Sequence, residues 1–534
     1  MKKILLLFSF FFLTAVFFFS CRKENKNPSW DVDVLVPLVK STLTINNIIP
    51  DSLLHINSDN TLDIVYRNNL SSFNADSIFL IPDTVLDTII VPPTATLSPC
   101  TYVVNSANDQ TKYNLGSVEL SKVIIRSGMM KIKITNATDG DIEYNYKLPL
   151  TKISPYSAQY FDTTFIVPKR INASTPGVFS ADIDMSGYVF DLTGLSGSSF
   201  NTLVKTVSIR VPCNGPILNL NFPNDYIKME NSFIDIVPEY AKGYFGSTVT
   251  AAEDTTDFSL FNHVIDGTLN LEDMDIDFSI ENSVGADARV TIDNLTSINT
   301  RTGNTVPLTH PIINSPININ RAADNAGNVI SSLYKFSITP SSPSNILSFV
   351  NNMPDKMSYK MNFEINPLGN VSGGNDFIYY SKLLKTQMDM TIPLSLIANN
   401  LTMADTMDFK MDANTDNVNY GNLYLYADNG FPFTAQVQLY LMDNNFTVTD
   451  SLISMPNTIL APLLDANYVC EGKKFTKLTI PADADKMEKL HQTHKIYLKI
   501  KFNTAGQPNY VKIYSFYEIN VKLAGDFNYT VGKN

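Results

Sequence analysis

Histidine, tryptophan and cysteine are almost missing from this chain: five His, one Trp and four Cys in 534 residues. Hydrolytic and metal-dependent catalysis draw on histidine first, and His55, His263 and His310 stand isolated. His491 and His494, with Glu488, could share one face of a helix as a zinc or iron site. They lack the HExxH order, and cationic histidines at a helix end suit its dipole equally well. There is no GxSxG, no phosphate-cradling glycine loop and no dinucleotide fingerprint. These absences argue against an enzyme, with a hydrolase built on a carboxylate pair as the last alternative. Basic residues are outnumbered, 40 Lys+Arg against 52 Asp+Glu, for a formal charge of -12, which makes nucleic acid a poor partner. Beyond Cys21 no apolar run approaches the roughly 18 residues of a spanning helix.

The amino terminus is organised differently. Lys2 and Lys3 precede an apolar run from Ile4 to Phe19, which ends in Ser20-Cys21 and is followed by the hydrophilic Arg22-Lys23-Glu24-Asn25-Lys26. This reads as a signal peptide over residues 1–20. The closing cysteine resembles the lipobox of bacterial lipoproteins, and its Phe-rich, Ser-Cys ending is similar to those of the Bacteroidota. The resemblance implies cleavage before Cys21 and acylation of that residue, which anchors the chain to the outer membrane without a spanning segment. Arg22-Lys23-Glu24 partly resembles the export signals of surface lipoproteins of that group, favouring display on the outer face over the periplasmic one.

The other cysteines, Cys100, Cys213 and Cys470, are widely spaced and odd in number. At most one bridge can form, and buried free thiols are the expectation. Asp followed by Ser or Thr and then an apolar residue or Thr recurs with hydroxyls at Ser52, Ser77, Thr84, Thr88, Thr163, Thr255, Thr406 and Ser451. The triplet resembles the O-glycosylation motif of Bacteroidota envelope proteins, but it also suits the start of a strand. On either reading these sites belong at strand edges.

Period-2 alternation dominates elsewhere, as in Asp31-Val32-Asp33-Val34, Lys131-Ile132-Lys133-Ile134, Asp275 to Ile280 and Gln436 to Leu441. These are half-buried strands. Asp139-Gly140, Asp266-Gly267, Gly303-Asn304 and Asn429-Gly430 read as hairpin turns. Short helices are expected over 344–353, 379–386 and 483–492. Three segments align on an Asn that ends a strand and opens a turn, at Asn136, Asn282 and Asn429, about 146 residues apart. A fourth, around Asn366, breaks the spacing. The segments resemble the strand-Asn-turn-strand signature of LEA-type Ig-like β-sandwiches. The expectation is an all-β chain of several sandwich-like modules in tandem with a few short helices. A lipidated tether would cover 21–29, an N-terminal β region 30–115, and β modules 116–262, 263–400 and 401–534.

No cofactor is demanded. Asp412, Asn414 and Asp416 fall at positions 1, 3 and 5 of a calcium-type loop, but position 12 is Leu423 and a plain polar turn fits as well. Asp273, Asp275 and Asp277 would repel one another on a strand face unless cations or water intervene. Sugar binding would need an exposed ring platform, and the single Trp, Trp30, counts against it; Tyr379-Tyr380 or Tyr420 with Tyr424 and Tyr426 could serve, although most rings belong to the core. Three functional readings follow: a lipid-anchored protein working by binding or as a structural, adhesive surface component; a carrier of lipid or another apolar ligand in a groove; and a glycan-capture accessory to an outer-membrane transporter. The ligand itself, whether protein, glycan or lipid, is unspecified.

Overall fold

The computed structural model describes residues 30–47, 49, 51–72, 81–261, 264–325, 327–409, 418–453 and 457–531. Strand accounts for 61% of the chain and helix for 5%, an all-β architecture of several sandwich-like domains. All four alternating segments named above lie in strands.

Three modules share one strand plan. The strand ending at each repeat Asn, Glu119–Asn136, Asp275–Asn282 or Val418–Asn429, lies between the module's last strand and a strand from its middle. Those neighbours are 227–244 with 177–184, 384–393 with 332–338, and 518–531 with 474–482. The strand after the Asn, Ile142–Lys152, Ala288–Asn299 or Phe433–Met442, belongs to the facing side. It pairs there with 160–167 and 202–210, with 304–307 and 356–365, or with 448–451 and 495–504.

The chain therefore crosses from one layer to the other at each Asn, and the turns at Asp139-Gly140 and Asn429-Gly430 are arches rather than the expected hairpins. A crossing strand leaves ladder partners behind, and an unpaired buried amide or carbonyl is costly. The Asn side chain takes their place in the same way three times. Asn136 Nδ2 donates to Gly140 O at 3.0 Å and Pro168 O at 3.1 Å, while Oδ1 accepts from Thr138 N at 2.9 Å. Asn282 repeats this with Ala286 O at 2.9 Å, Asn320 O at 3.0 Å and Val284 N at 3.0 Å. Asn429 repeats it with Phe433 O at 2.8 Å, Leu460 O at 3.0 Å and Phe431 N at 2.9 Å. All three are 0% exposed. Asn366 is built otherwise: its φ is 51° and its amide donates to Gly246 O and Asp376 Oδ2.

Arginines brace the first two arches. Arg170 reaches Asp139 at 2.6 Å, buried Asp225 at 2.8 Å and Ala137 O at 2.9 Å. Arg321 reaches Asp287 at 2.7 Å and buried Asp376 at 3.4 Å. The third arch has no such arginine among the described residues: Phe431 is buried against Tyr517, and Gly430 N donates to Glu518 O at 2.9 Å.

The N-terminal region is not a unit of its own, in contrast to the consecutive division expected over 30–115. Strands Trp30–Thr44, Leu62–Ser72 and Thr84–Ile90 flank the last strands of the third, second and first modules respectively. The chain thus contributes strands to the third, then the second, then the first module, and returns through the first, second and third. Strand Ser395–Asp408 crosses the expected boundary at 400 and pairs with 495–504 of the third module. Pairing across hundreds of residues decides module membership, and local pattern cannot show it.

Of the expected hairpin turns, Gly303-Asn304 joins paired strands 288–299 and 304–307. Asp266-Gly267 is a bulge inside Val264–Leu271, where Gly267 has φ 94° and a Cβ would sit 2.2 Å from Asn400 O. Two expected helices form, Ile346–Asn351 and Ala484–His491, the latter capped by the Asp483 carboxylate accepting from Lys486 N at 2.9 Å. The third does not: 376–379 and 384–393 are strands, because Phe377, Leu384 and Met388 serve sheet cores.

Cys100 and Cys213 form a disulfide spanning 113 residues of the first module, which corrects the expectation of free thiols. Backbone pairing brings the two loops together, with Cys100 N donating to Val211 O at 3.0 Å. Cys470 remains a half-buried thiol, and burial pushes its pKa up to about 11.

Three outcomes are expected. Asn282→Ala strips three hydrogen bonds from a buried arch and should cost about 2–4 kcal/mol in urea unfolding. Replacing Cys100 and Cys213 by Ser should lower stability by about 2–4 kcal/mol. The guanidinium of Arg170 holds the Asp139 carboxyl below its ordinary value, and that of Arg321 does the same for Asp287. Their contribution is therefore full above about pH 4 and disappears as pH falls through the depressed values. Melting temperature should drop below that pH, and Arg321→Ala should flatten the acid branch while lowering the neutral-pH value.

Candidate functional site

The third module pairs Trp30–Thr44, Glu518–Val531, Val418–Asn429 and Lys474–Ala482 into a four-stranded sheet. Leu423, Ala427, Leu478 and Ile480 are buried toward the facing sheet. Alternation then turns Tyr424, Tyr426, Asp428, Phe475 and Lys477 outward. Register sets their order. Tyr426 lies opposite both Lys477 and Lys522, and Lys522 lies opposite Lys40. One step along, Asp428 lies opposite Phe475 and Asn520.

The Tyr426 and Phe475 rings are 6.2 Å apart and within 26° of parallel, and Phe475 is 56% exposed. Tyr424 stands 6.2 Å from Tyr426 at 42°. The Lys477 ammonium sits 4.0 Å from the centre of Tyr424 and 5.6 Å from that of Tyr426, a cation over ring faces. Beside the rings, a recess of about 350 Å³ is floored by Ala524 and edged by Leu35, Lys40, Asp428, Asn520 and Lys522. That volume lies within the roughly 300–1,000 Å³ of small-ligand sites.

Tyr424 and Tyr426 are thus brought together as expected, while Tyr420, 55% exposed, lies beyond them on the same strand, next to a register shift. Phe475 joins them through tertiary pairing alone, since its place beside Tyr426 depends on a strand some 50 residues away. The lysine row is hidden in the sequence for the same reason. Tyr379 and Tyr380 do not form a platform. Tyr379 packs on Tyr240 at 4.8 Å and donates to Asp324 at 3.0 Å, whereas Tyr380 receives Arg126 at 4.2 Å.

The other candidates are dispersed. Cys21, Ser77 and the Asp412, Asn414, Asp416 loop lie outside the described residues. Among the described residues no three His, Cys, Asp or Glu side chains gather as a metal site, the His491 and His494 pair included. Asp275 has its carboxyl raised by burial and by Asp273 and Asp277. Thr88, Thr163, Thr255, Thr406 and Ser451 lie on strands at positions paired on one side only, and Ser52 lies in an exposed turn. Thr84 differs: its hydroxyl is buried and cannot take a sugar in the folded chain.

Two cavities are almost wholly apolar. One, beside Leu120, Phe190 and Phe233, holds about 60 Å³. The other, beside Ile64, Phe433 and Ile513, holds about 110 Å³. Both fall below the size of ordinary ligand sites. Among the described residues no helix is long and apolar enough to cross a membrane.

No protein-family model matches the chain, and no curated protein is similar to it. Among solved structures, the chain is similar to a "putative secreted protein" of Parabacteroides distasonis, at 9% identity over 93% of this chain and 99% of that one, with a TM-score of 0.26. It is also similar to a chain of Broad Bean Stain Virus, at 9% identity over 61% of this chain and 91% of that one, with a TM-score of 0.17. At these scores neither likeness carries an argument about function.

Proposed function

We propose that this is a lipid-anchored, non-catalytic envelope protein that captures glycan on the outward sheet face of its third module. One observation carries the reading: Tyr426 and Phe475, nearly parallel and 6.2 Å apart, beside a recess of about 350 Å³ edged by Asp428 and Asn520. Paired ring faces accept the C–H faces of sugars, and flanking amide and carboxylate groups can hold hydroxyls.

The Ser20-Cys21 ending supports an anchor in the outer membrane, and Lys23-Glu24 favours its outer face. A disulfide between Cys100 and Cys213 suits the oxidising side of the envelope. Strand Trp30–Thr44, the first after the tether, forms part of the binding face, which keeps that face on the anchored module. The three arches fall on the strand-Asn-turn-strand segments that resemble LEA-type sandwiches. The carrier reading has less support, since the apolar cavities hold only about 60 and 110 Å³.

Affinity electrophoresis in gels containing soluble polysaccharides tests the reading. Tyr426→Ala and Phe475→Ala should each weaken retardation of the purified protein about tenfold. Retardation by no polysaccharide, or equal retardation of both variants and the parent, would refute it. Protease treatment of intact cells should remove the protein, and Cys21→Ala should release it from the membrane fraction.

A further inference from the structure

The same sheet face carries a feature that neutral sugars do not require. Lys477, Lys522 and Lys40 fall in one row with Tyr426 across all four strands. Lys522 and Lys40 are directly opposed, an arrangement that destabilises a sheet by like-charge repulsion. Neither has an acidic partner among the described residues, although the chain as a whole carries a formal charge of -12. Several other sheet lysines are matched, Lys147 with Asp162 at 2.8 Å, Lys133 with Glu230 at 3.2 Å and Lys360 with Glu253 at 3.2 Å, while Lys242 and Lys122 form a second directly opposed pair, with Lys122 over the Tyr240 ring. The recess edged by Lys40 and Lys522 has one carboxylate on its edge, Asp428, and that group lies one step along the sheet, opposite Phe475 and Asn520.

We infer that the recess takes an anionic sugar, its ring on Tyr426 and Phe475 and its carboxylate or sulfate between Lys40 and Lys522. The inference rests on the glycan reading above and deepens it. An anion between the two ammonium groups offsets the repulsion that the empty sheet carries, and the rings supply what a bare basic patch lacks: a flat apolar surface for the sugar itself. Lys477, held over Tyr424 and Tyr426, contributes field rather than contact.

The test uses two matched pairs of polymers with the purified full chain: polygalacturonate against its methyl ester, and dextran sulfate against dextran. At moderate salt, one charged polymer should bind about fivefold to tenfold more tightly than its neutral partner, and the pair that shows the preference identifies carboxylate or sulfate as the anion. Lys40→Gln combined with Lys522→Gln should erase that preference, bringing the charged polymer down to the affinity of its neutral partner. Phe475→Ala should weaken both forms. Equal binding of charged and neutral polymers would overturn the anionic inference and leave the glycan reading standing. Charged-polymer binding that survives Phe475→Ala and Tyr426→Ala would overturn it as plain electrostatic adhesion. Binding of none of the four would remove both.

Discussion

A side-chain amide that substitutes for backbone is the interaction on which this molecule depends. A β-sandwich needs its chain to pass from one layer to the other, and each passage strands buried amides and carbonyls. Asn can donate twice and accept at the same time in a plane, so one buried residue can close the turn it opens and tie it to a carbonyl 31 to 38 residues on. Ser and Thr lack the second donor, and Asp lacks both. The arch fixes where the second strand enters the facing layer and so which residues of each strand face inward. In the third module the arch at Asn429 sets the register that turns Tyr424, Tyr426 and Asp428 to solvent.

Around that constraint the modules differ in bracing. The first two arches carry an Arg bonded to one exposed or half-exposed acid and one buried acid, while the third uses packed rings, Phe431 against Tyr517. Beside those rings Gly430 N donates to Glu518 O, and the Glu518 carboxylate pairs with Lys473 at 2.5 Å. The reverse threading of the N-terminal strands binds the array together: the first described strand completes the third module, which also contains the last described strand. Such long-range pairing makes folding of any one module dependent on segments far away in sequence, a high-contact-order arrangement that folds slowly.

Much of this was legible beforehand because period-2 alternation is a local signal. The strands around Lys131, Asp275 and Gln436, the two short helices, one of them capped by Asp483, and the threefold Asn spacing could all be read directly. The spacing marked the repeat, but a strand, an Asn and a turn look alike whether the chain folds back beside itself or crosses a core. Gly267 shows the same ambiguity: Asp-Gly suggests a hairpin, and only the approach of Asn400 O reveals a bulge. The disulfide was one of three equivalent pairings until the loops at Cys100 and Val211 met.

Composition and near-neighbour pattern set the class of fold and the sharing of one strand face by Tyr424 and Tyr426, since each is a property of composition or of neighbours a few residues apart. Tertiary structure alone decided that the N-terminal strands are dealt out in reverse, that Phe475 joins Tyr426, and that Lys40, Lys522 and Lys477 form a row. Those are consequences of register between strands separated by tens to hundreds of residues. Register is fixed by burial of one face of a sheet against its partner layer, a condition that no local window of sequence contains.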